Sequence, residues 1–209
     1  MIELLVVISI IAILASLIFP ALGRARRKAE QIKCMSNLKQ VGLGIQMYVD
    51  EHDDRLPGPV LTGSMANYDR NASWQVVYHL APYIGAPTPS ARMVVAEAFV
   101  CPAYVRHYAG EGIMGRKMWI LNDNLDPRAA ERILPFGYPL APLQSNPIKL
   151  SSISQYGDPS GIWAMSDVDY IHPSINTATT WRDEIPERPV HGPVRNELYF
   201  DHHVESVRW

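Results

Sequence analysis

Seven side chains near the C-terminus have the types that move protons or hold metals: Asp167, Asp169, His172, His191, Asp201, His202 and His203. Carboxylates beside imidazoles can act as general acids and bases. Asp167, Asp169 and Asp201 are candidate calcium ligands, because a hard cation takes oxygen donors. Their spacing is not that of an EF-hand loop, and no H-E-x-x-H or cysteine-pair zinc pattern occurs. No glycine-rich phosphate loop, G-x-S-x-G elbow or kinase-type catalytic loop is present. The competing reading is structural: His191 and Asp201 hydrogen-bond turns and strand ends. That reading carries the expectation of no catalytic residue and no cofactor, with calcium the one candidate ion. Carboxylate pairs such as Asp53-Asp54 and Asp167/Asp169 are too common to argue for hydrolysis. Trp163, Trp181 and Trp209 read as core or interface residues rather than a sugar platform.

Cys34 and Cys101 are the only cysteines. Two are too few for a disulfide-dense scaffold or a four-cysteine zinc site. In an oxidising compartment they can form a bridge. It would close a loop of about 66 residues and contribute on the order of 4 kcal/mol in the chain-entropy model. Two packed free thiols are the other reading, and the sequence leaves both open.

The elements that carry these residues follow from a strong asymmetry. The chain has 209 residues, a net charge of −2, 19% charged and 47% apolar residues. That balance excludes a strongly basic nucleic-acid binder and a disordered chain. Seventeen prolines and thirteen glycines predict many loops and short elements. Yet from Leu4 to Gly23 no residue is charged. As a helix this run is roughly 30 Å long, the thickness of a bilayer's hydrocarbon core. A signal peptide usually has a shorter apolar run behind a basic start. A buried core helix rarely stays uncharged this long. Glu3 stands at one edge of the run, and Arg24, Arg26, Arg27 and Lys28 stand at the other. Residues 1–28 therefore carry +3 and residues 29–209 carry −5. Those basic groups suit lipid phosphates. Taken alone, the positive-inside rule would place them, and the domain after them, in the cytoplasm.

The helical pattern continues past the basic cluster. Ile32, Met35, Leu38, Gly42, Ile45 and Val49 recur every three or four residues. The pattern stops near Asp50, ahead of His52-Asp53-Asp54 and Pro57. One helix from about Ile2 to about Glu51 is predicted, on the order of 75 Å long. Pro20 should kink or open it. Gly42 and Gly44 each cost roughly 1 kcal/mol against alanine, which predicts close packing on their face.

The segment IELLVVISIIAILASLIFPAL resembles the N-terminal helix of type IV pilins and type II secretion pseudopilins. The likeness lies in a glutamate near the start, a long apolar run and a proline near its end. The resemblance implies a cleavage site and a basic leader upstream of Met1, with methylation of the processed terminus. It overrules the positive-inside reading. The chain would be a single-pass protein of the cytoplasmic (inner) membrane, extracytoplasmic after about Lys28. The rest of the chain resembles pilin-like proteins with a C-terminal H-x9-D-G motif. CMSNLKQVGLGIQMYVDEHDDRLP, Phe99-Val100-Cys101-Pro102, and Asp158-Pro159-Ser160 before IWAMSD carry that likeness. So do Ser73-Trp74 with Ala81-Pro82-Tyr83, and His191, Asn196, Phe200, Asp201, His203 and Val204. His202 stands where the motif has glycine. Pseudopilins of this kind also sometimes hold calcium near the sheet.

The predicted fold is α+β: a long helix, transmembrane then amphipathic, packed on a small antiparallel sheet with a loop-rich middle. The expected divisions are 1–23, the transmembrane or filament-core half; 24–54, the amphipathic half; 55–150, a loop-rich region with short helices; and 151–209, the C-terminal antiparallel sheet. Short helices are predicted at Ser73–Tyr83, capped by Ser73, and at Pro127–Ile133, capped by Asp126. Strands are predicted at Lys117–Leu121, Gly161–Ser166, Leu198–Asp201 and Val204–Trp209. The last two form a hairpin whose turn should be wide or distorted, since histidine reaches positive φ at a cost.

The function this implies is a structural subunit of a pilus-like or pseudopilus filament, stored in the membrane and assembled through its helix. Its partners would be copies of itself, other pilin-like subunits, the assembly machinery and lipid, and not nucleic acid. Glu3 and Pro20 are the expected assembly residues: Glu3 to pair with a neighbour's amino terminus, Pro20 to let the helix open. The alternative is an anchored binding module or hydrolase that never polymerises. Glu3 separates the two, because a monomeric anchor has no reason to keep a carboxylate at the lipid edge.

Overall fold

The computed structural model describes residues 2–175 and 179–208. Trp209 lies outside them, and so does the end of the last predicted strand. Helix α1 runs Ile2–Glu51 without a break. Pro20 sits inside it and does not interrupt it. The missing N–H removes one hydrogen bond, and the helix continues past it.

Two consecutive left-handed aspartates stop α1. Asp53 and Asp54 have φ of 52° and 67°. The Asp54 N–H returns to the Val49 carbonyl at 3.1 Å, which covers one of the carbonyls left open at a helix end. The Asp54 carboxylate also accepts the hydroxyl and N–H of Ser151. The acidic turn thus ties the helix end to the segment before the C-terminal strands.

The chain then forms β1 (Gly63–Met65), β2 (Asn67–Tyr68), α2 (Val76–Leu80), β3 (Val94–Val95), α3 (Pro102–His107), β4 (Lys117–Leu121), β5 (Trp163–Asp167), β6 (Val194–Tyr199) and β7 (Val204–Arg208). Five strands form one antiparallel sheet in the order β1-β4-β5-β6-β7, and β2 pairs with β3. The sheet therefore draws β1 and β4 from the stretch 55–150 as well as β5, β6 and β7 from 151–209. Strand β6 begins four residues before the predicted strand, at Val194, and ends at Tyr199.

Two predicted helices are corrected. The first is a turn at 73–75, then α2, then a 3₁₀ turn at Ala81–Ile84. Gln75, not Ser73, holds the N-cap position. At 126–133 there is no helix: Asp126 Oδ1 accepts the Arg128 N–H at 2.9 Å, and Leu125 N–H reaches the Ile133 carbonyl at 3.0 Å. An aspartate side-chain turn has won over helix initiation.

The inward face of α1's second half is Gln31, Cys34, Leu38, Val41, Ile45 and Val49. It is turned slightly from the predicted stripe: Ile32 is 55% exposed and Met35 half-buried. This face packs with Phe99, Met118, Trp119, Leu121, Met165, Leu198 and Phe200 into one core. The Trp119 indole N–H donates to the Phe99 carbonyl at 2.7 Å. A second cluster of Ile120, Val168 and Ile185 also forms, flanked by Trp163 and Trp181.

The β6–β7 turn is wide, as its histidine predicts. Leu198 pairs with Val204, and the Tyr199 N–H reaches the His203 carbonyl at 3.0 Å. Three residues lie between, and the third, His202, has φ of 68°. This is a three-residue hairpin whose last loop residue is left-handed.

Candidate functional site

The apolar half of α1 has no partner among the described residues. None of its most apolar window is buried. Leu4 is 67%, Leu17 70% and Phe19 71% exposed. The helix is long and apolar enough to cross a membrane. Its two serines satisfy themselves, with Ser9 Oγ donating to the Val6 carbonyl and Ser16 Oγ to that of Ile13, both at 2.7 Å. Glu3 lies exposed in the first turn. Below Gly23, Glu30 accepts from Arg26 at 3.2 Å and from Arg106 at 2.7 Å. Lys28 Nζ donates to Gln31 Oε1 at 3.1 Å. The basic end of the apolar run is thereby tied to α3.

Beneath it lies a buried polar junction. Cys34 on α1 is bridged to Cys101 at the N-terminus of α3. Pro102 opens α3, where its missing N–H costs nothing, so Cys101 stays extended and faces the helix. His191, in the loop before β6, brings its Nε2 to 3.3 Å from Cys101 Sγ and 3.6 Å from Asp167 Oδ2. The side chains of His191 and Asp167 are 2% and 1% exposed. The Asn196 N–H donates to Asp167 Oδ2 at 2.7 Å, while Asp167 Oδ1 is buried without a hydrogen-bond partner. Burial raises the Asp167 acid to about 8, and burial with the nearby Arg106 charge lowers the His191 imidazole to about 4. Both shifts favour the uncharged forms and so work against an ion pair between them. Asn196 Oδ1 accepts from Ser206 Oγ at 2.8 Å, and Gln31 Nε2 donates to the same hydroxyl at 2.8 Å. This chain of hydrogen bonds fastens α1 to β6 and β7.

The expected calcium ligands do not converge. Asp169 is held by Arg195, with Nε to Oδ2 at 2.7 Å and Nη2 to Oδ1 at 2.8 Å. Asp201 caps the hairpin, accepting the His203 N–H at 3.0 Å and its Nδ1 at 2.6 Å. Burial pushes the Asp201 carboxyl up, but the bonds from His203 outweigh this and hold it below its usual range. Among the described residues, the three-ligand group close enough to share an ion is Cys34, Cys101 and His191. His191 and Asp201 thus sit beyond opposite ends of β6 and do different work. Asp201 shapes a turn, whereas His191 touches a sulfur rather than a turn or strand end. His202 packs on α1, where Lys39 Nζ donates to its carbonyl at 2.7 Å.

Two parts escape the sequence reading. Arg195 pairs with Asp169 in the interior, and Tyr104 places its hydroxyl against the Val168 backbone, whose N–H donates to it at 2.8 Å. An arginine inside a short β-strand was the one available signal. Trp163, His172, Arg195 and Glu197 line a cleft of about 630 Å³. There His172 Nδ1 accepts the Ser174 N–H at 3.2 Å, and Glu197 accepts from Tyr199 at 3.0 Å. Its acid and base groups are thus engaged in internal bonds.

A family model described as a protein of unknown function (DUF1559) matches residues 23–110. That span covers α1 from its basic cluster through α3 and includes both cysteines. No curated protein and no solved structure matches the chain.

Proposed function

We propose that this protein is a pilin-like subunit, stored in a membrane by the first half of α1 and assembled through that helix into a filament. The observation that carries this reading is the state of α1. One unbroken helix is solvent-exposed and apolar on all sides in its first half, and built into the folded domain in its second. In lipid the first half is solvated by acyl chains. In a filament the same surface packs against neighbouring copies.

A simple anchor would account for residues 4–23 but not for the outward face of the helix beyond them. Ile32, Leu43 and Met47 are 55%, 54% and 50% exposed. At about 100° per residue they fall within an arc of roughly 60° on the outward face. They extend an apolar track beyond the basic cluster, where no lipid would cover it. A bundle of parallel helices would. Glu3 adds register: inside a low-dielectric core it favours the one axial offset that brings it beside a neighbour's amino terminus. The Cys34–Cys101 bridge fits an extracytoplasmic domain. In this reading the domain performs no catalysis.

The test is Glu3→Ala. Insertion depends on the summed transfer of the apolar run and should be spared. Assembly should lose roughly 3–5 kcal/mol per contact, the cost of a buried charge left alone. Filament yield in sheared fractions should therefore collapse while the membrane-held subunit stays at its normal level. Normal filaments from Glu3→Ala would overturn the reading.

A further inference from the structure

The junction between α1, α3 and the loop before β6 holds more chemistry than a bridge requires. A disulfide needs no imidazole, yet His191 Nε2 stands 3.3 Å from Cys101 Sγ. It needs no acid either, yet the fully buried Asp167 places Oδ2 3.6 Å from the same nitrogen and leaves Oδ1 without a partner. The Cys34, Cys101 and His191 ligand atoms all lie within 4.8 Å of one another. Asp167 stands outside that group but reaches the imidazole at 3.6 Å, so two sulfurs, one imidazole and one carboxylate, donor types that zinc takes, meet at this junction.

We propose that the dithiol form of this protein binds one thiophilic divalent cation of the zinc class through Cys34, Cys101 and His191, with Asp167 in the fourth position. The ion and the disulfide are alternative staples for the same junction and exclude each other. A small dithiol reductant passes two electrons and two protons to the bridge and itself becomes a disulfide, leaving two protein thiols. The entering cation takes both sulfurs as thiolates and releases two protons, and Asp167 ligates as its carboxylate. His191 enters as the neutral imidazole, the form that ligates a metal. The Cα atoms of the cysteines are 5.1 Å apart, so side-chain rotation alone can open room between the sulfurs. The Asn196 N–H on Oδ2 fixes the orientation of the Asp167 carboxylate and leaves Oδ1 free to ligate. Sequence spacing hides this set, because its members stand at positions 34, 101, 167 and 191. The proposal rests on the junction and is independent of filament assembly.

The test uses the full chain in detergent, reduced anaerobically with a dithiol that is then removed, and titrated with Co²⁺. One equivalent should bind, giving a thiolate-to-cobalt charge-transfer band and the intense visible bands of a tetrahedral ion. Zn²⁺ should displace it. The unreduced chain should give neither band. His191→Ala and Asp167→Asn should each weaken binding at least roughly tenfold, the loss seen even for residues that only support a ligand. A reduced, folded chain that binds no cobalt would overturn the proposal, as would unchanged affinity in either variant. If reduction erases the near-ultraviolet dichroism, adding Zn²⁺ should restore it, and failure to do so would equally overturn the proposal.

Discussion

Gly42 on α1 meets Leu198 on β6 so closely that a Cβ on the glycine would lie 2.8 Å from Leu198 Cδ1. Gly44, half a turn on, does the same with Ile84 Cγ2 at 2.7 Å. The two glycines let the helix backbone sink onto the sheet on one side and onto the 3₁₀ turn after α2 on the other. Both Leu198 and the helix face around it are fully buried, so the neighbour cannot swing into solvent. Gly42→Leu should therefore cost roughly 1–3 kcal/mol, the usual range for overpacking, despite leucine's better helix propensity. Chemical denaturation of the detergent-solubilised chain measures it. Unchanged stability would show that the hairpin is free to retreat.

The Asp169–Arg195 pair should behave as a buried ion pair, since Asp169 is 0% and Arg195 6% exposed. Arg195→Met leaves the carboxylate without its cation and should cost about 3–5 kcal/mol. Asp169→Leu combined with Arg195→Met should recover most of that loss. Should the double variant be as unstable as the single one, the pair's hydrogen bonds, not its uncompensated charge, would be the source of the cost.

His202 sits at φ of 68°, a conformation that costs a side-chain-bearing residue about 1–2 kcal/mol. His202→Gly should relieve it and raise stability by up to about 1 kcal/mol. A loss instead would mean that the imidazole's packing on α1 outweighs the backbone strain.

His172 is held down to about 3 by burial and by the Arg195 charge. The unfolded chain takes up that proton below about 6.5, whereas the folded chain waits until about 3. The folded state therefore loses stability as pH falls through this window, and the full contribution is present above it. The stability advantage of wild type over His172→Gln should shrink from about pH 7 to about pH 4. An advantage constant with pH would place the imidazole in contact with water.

Leu43→Glu tests the outward track on α1. Leu43 is 54% exposed, so the substitution should leave folding within about 0.5 kcal/mol. Membrane level should not change, because the residue lies beyond the apolar run. Filament yield should fall sharply, since a parallel neighbour would bury the new charge. Filaments at wild-type level would remove the second half of α1 from the assembly surface.

Local pattern was enough for much of this protein. The helix Ile2–Glu51, its apolar first half, its acidic stop, β4, and a hairpin widened by His202 are all legible in the chain. Each depends on periodicity or on the preferred backbone of residues close together. The face of α1 that turns inward was legible only to within one residue, because Ile32 is as apolar as the residues that are buried. Gln31 takes the inward place instead, through partners on β6 and β7 that helical periodicity cannot register.

What the tertiary structure decided is whatever depends on distant partners. Strand β1 has three residues, too few for a pattern of its own, and exists because β4 offers it an edge. The helix expected at 127–133 gave way to a side-chain turn at Asp126, with Leu125 N–H bonded to the Ile133 carbonyl instead of a helical partner. The sequence left Cys34 and Cys101 open between bridge and free thiols, and folding brings them together. It also delivers His191 and Asp167 to the same buried spot, from stretches with no shared local signal. Composition and spacing determined the long amphipathic helix because hydrophobic patterning acts over a few turns. The junction beneath it required the whole fold, because only closing loops of tens of residues brings its donors within reach of one another.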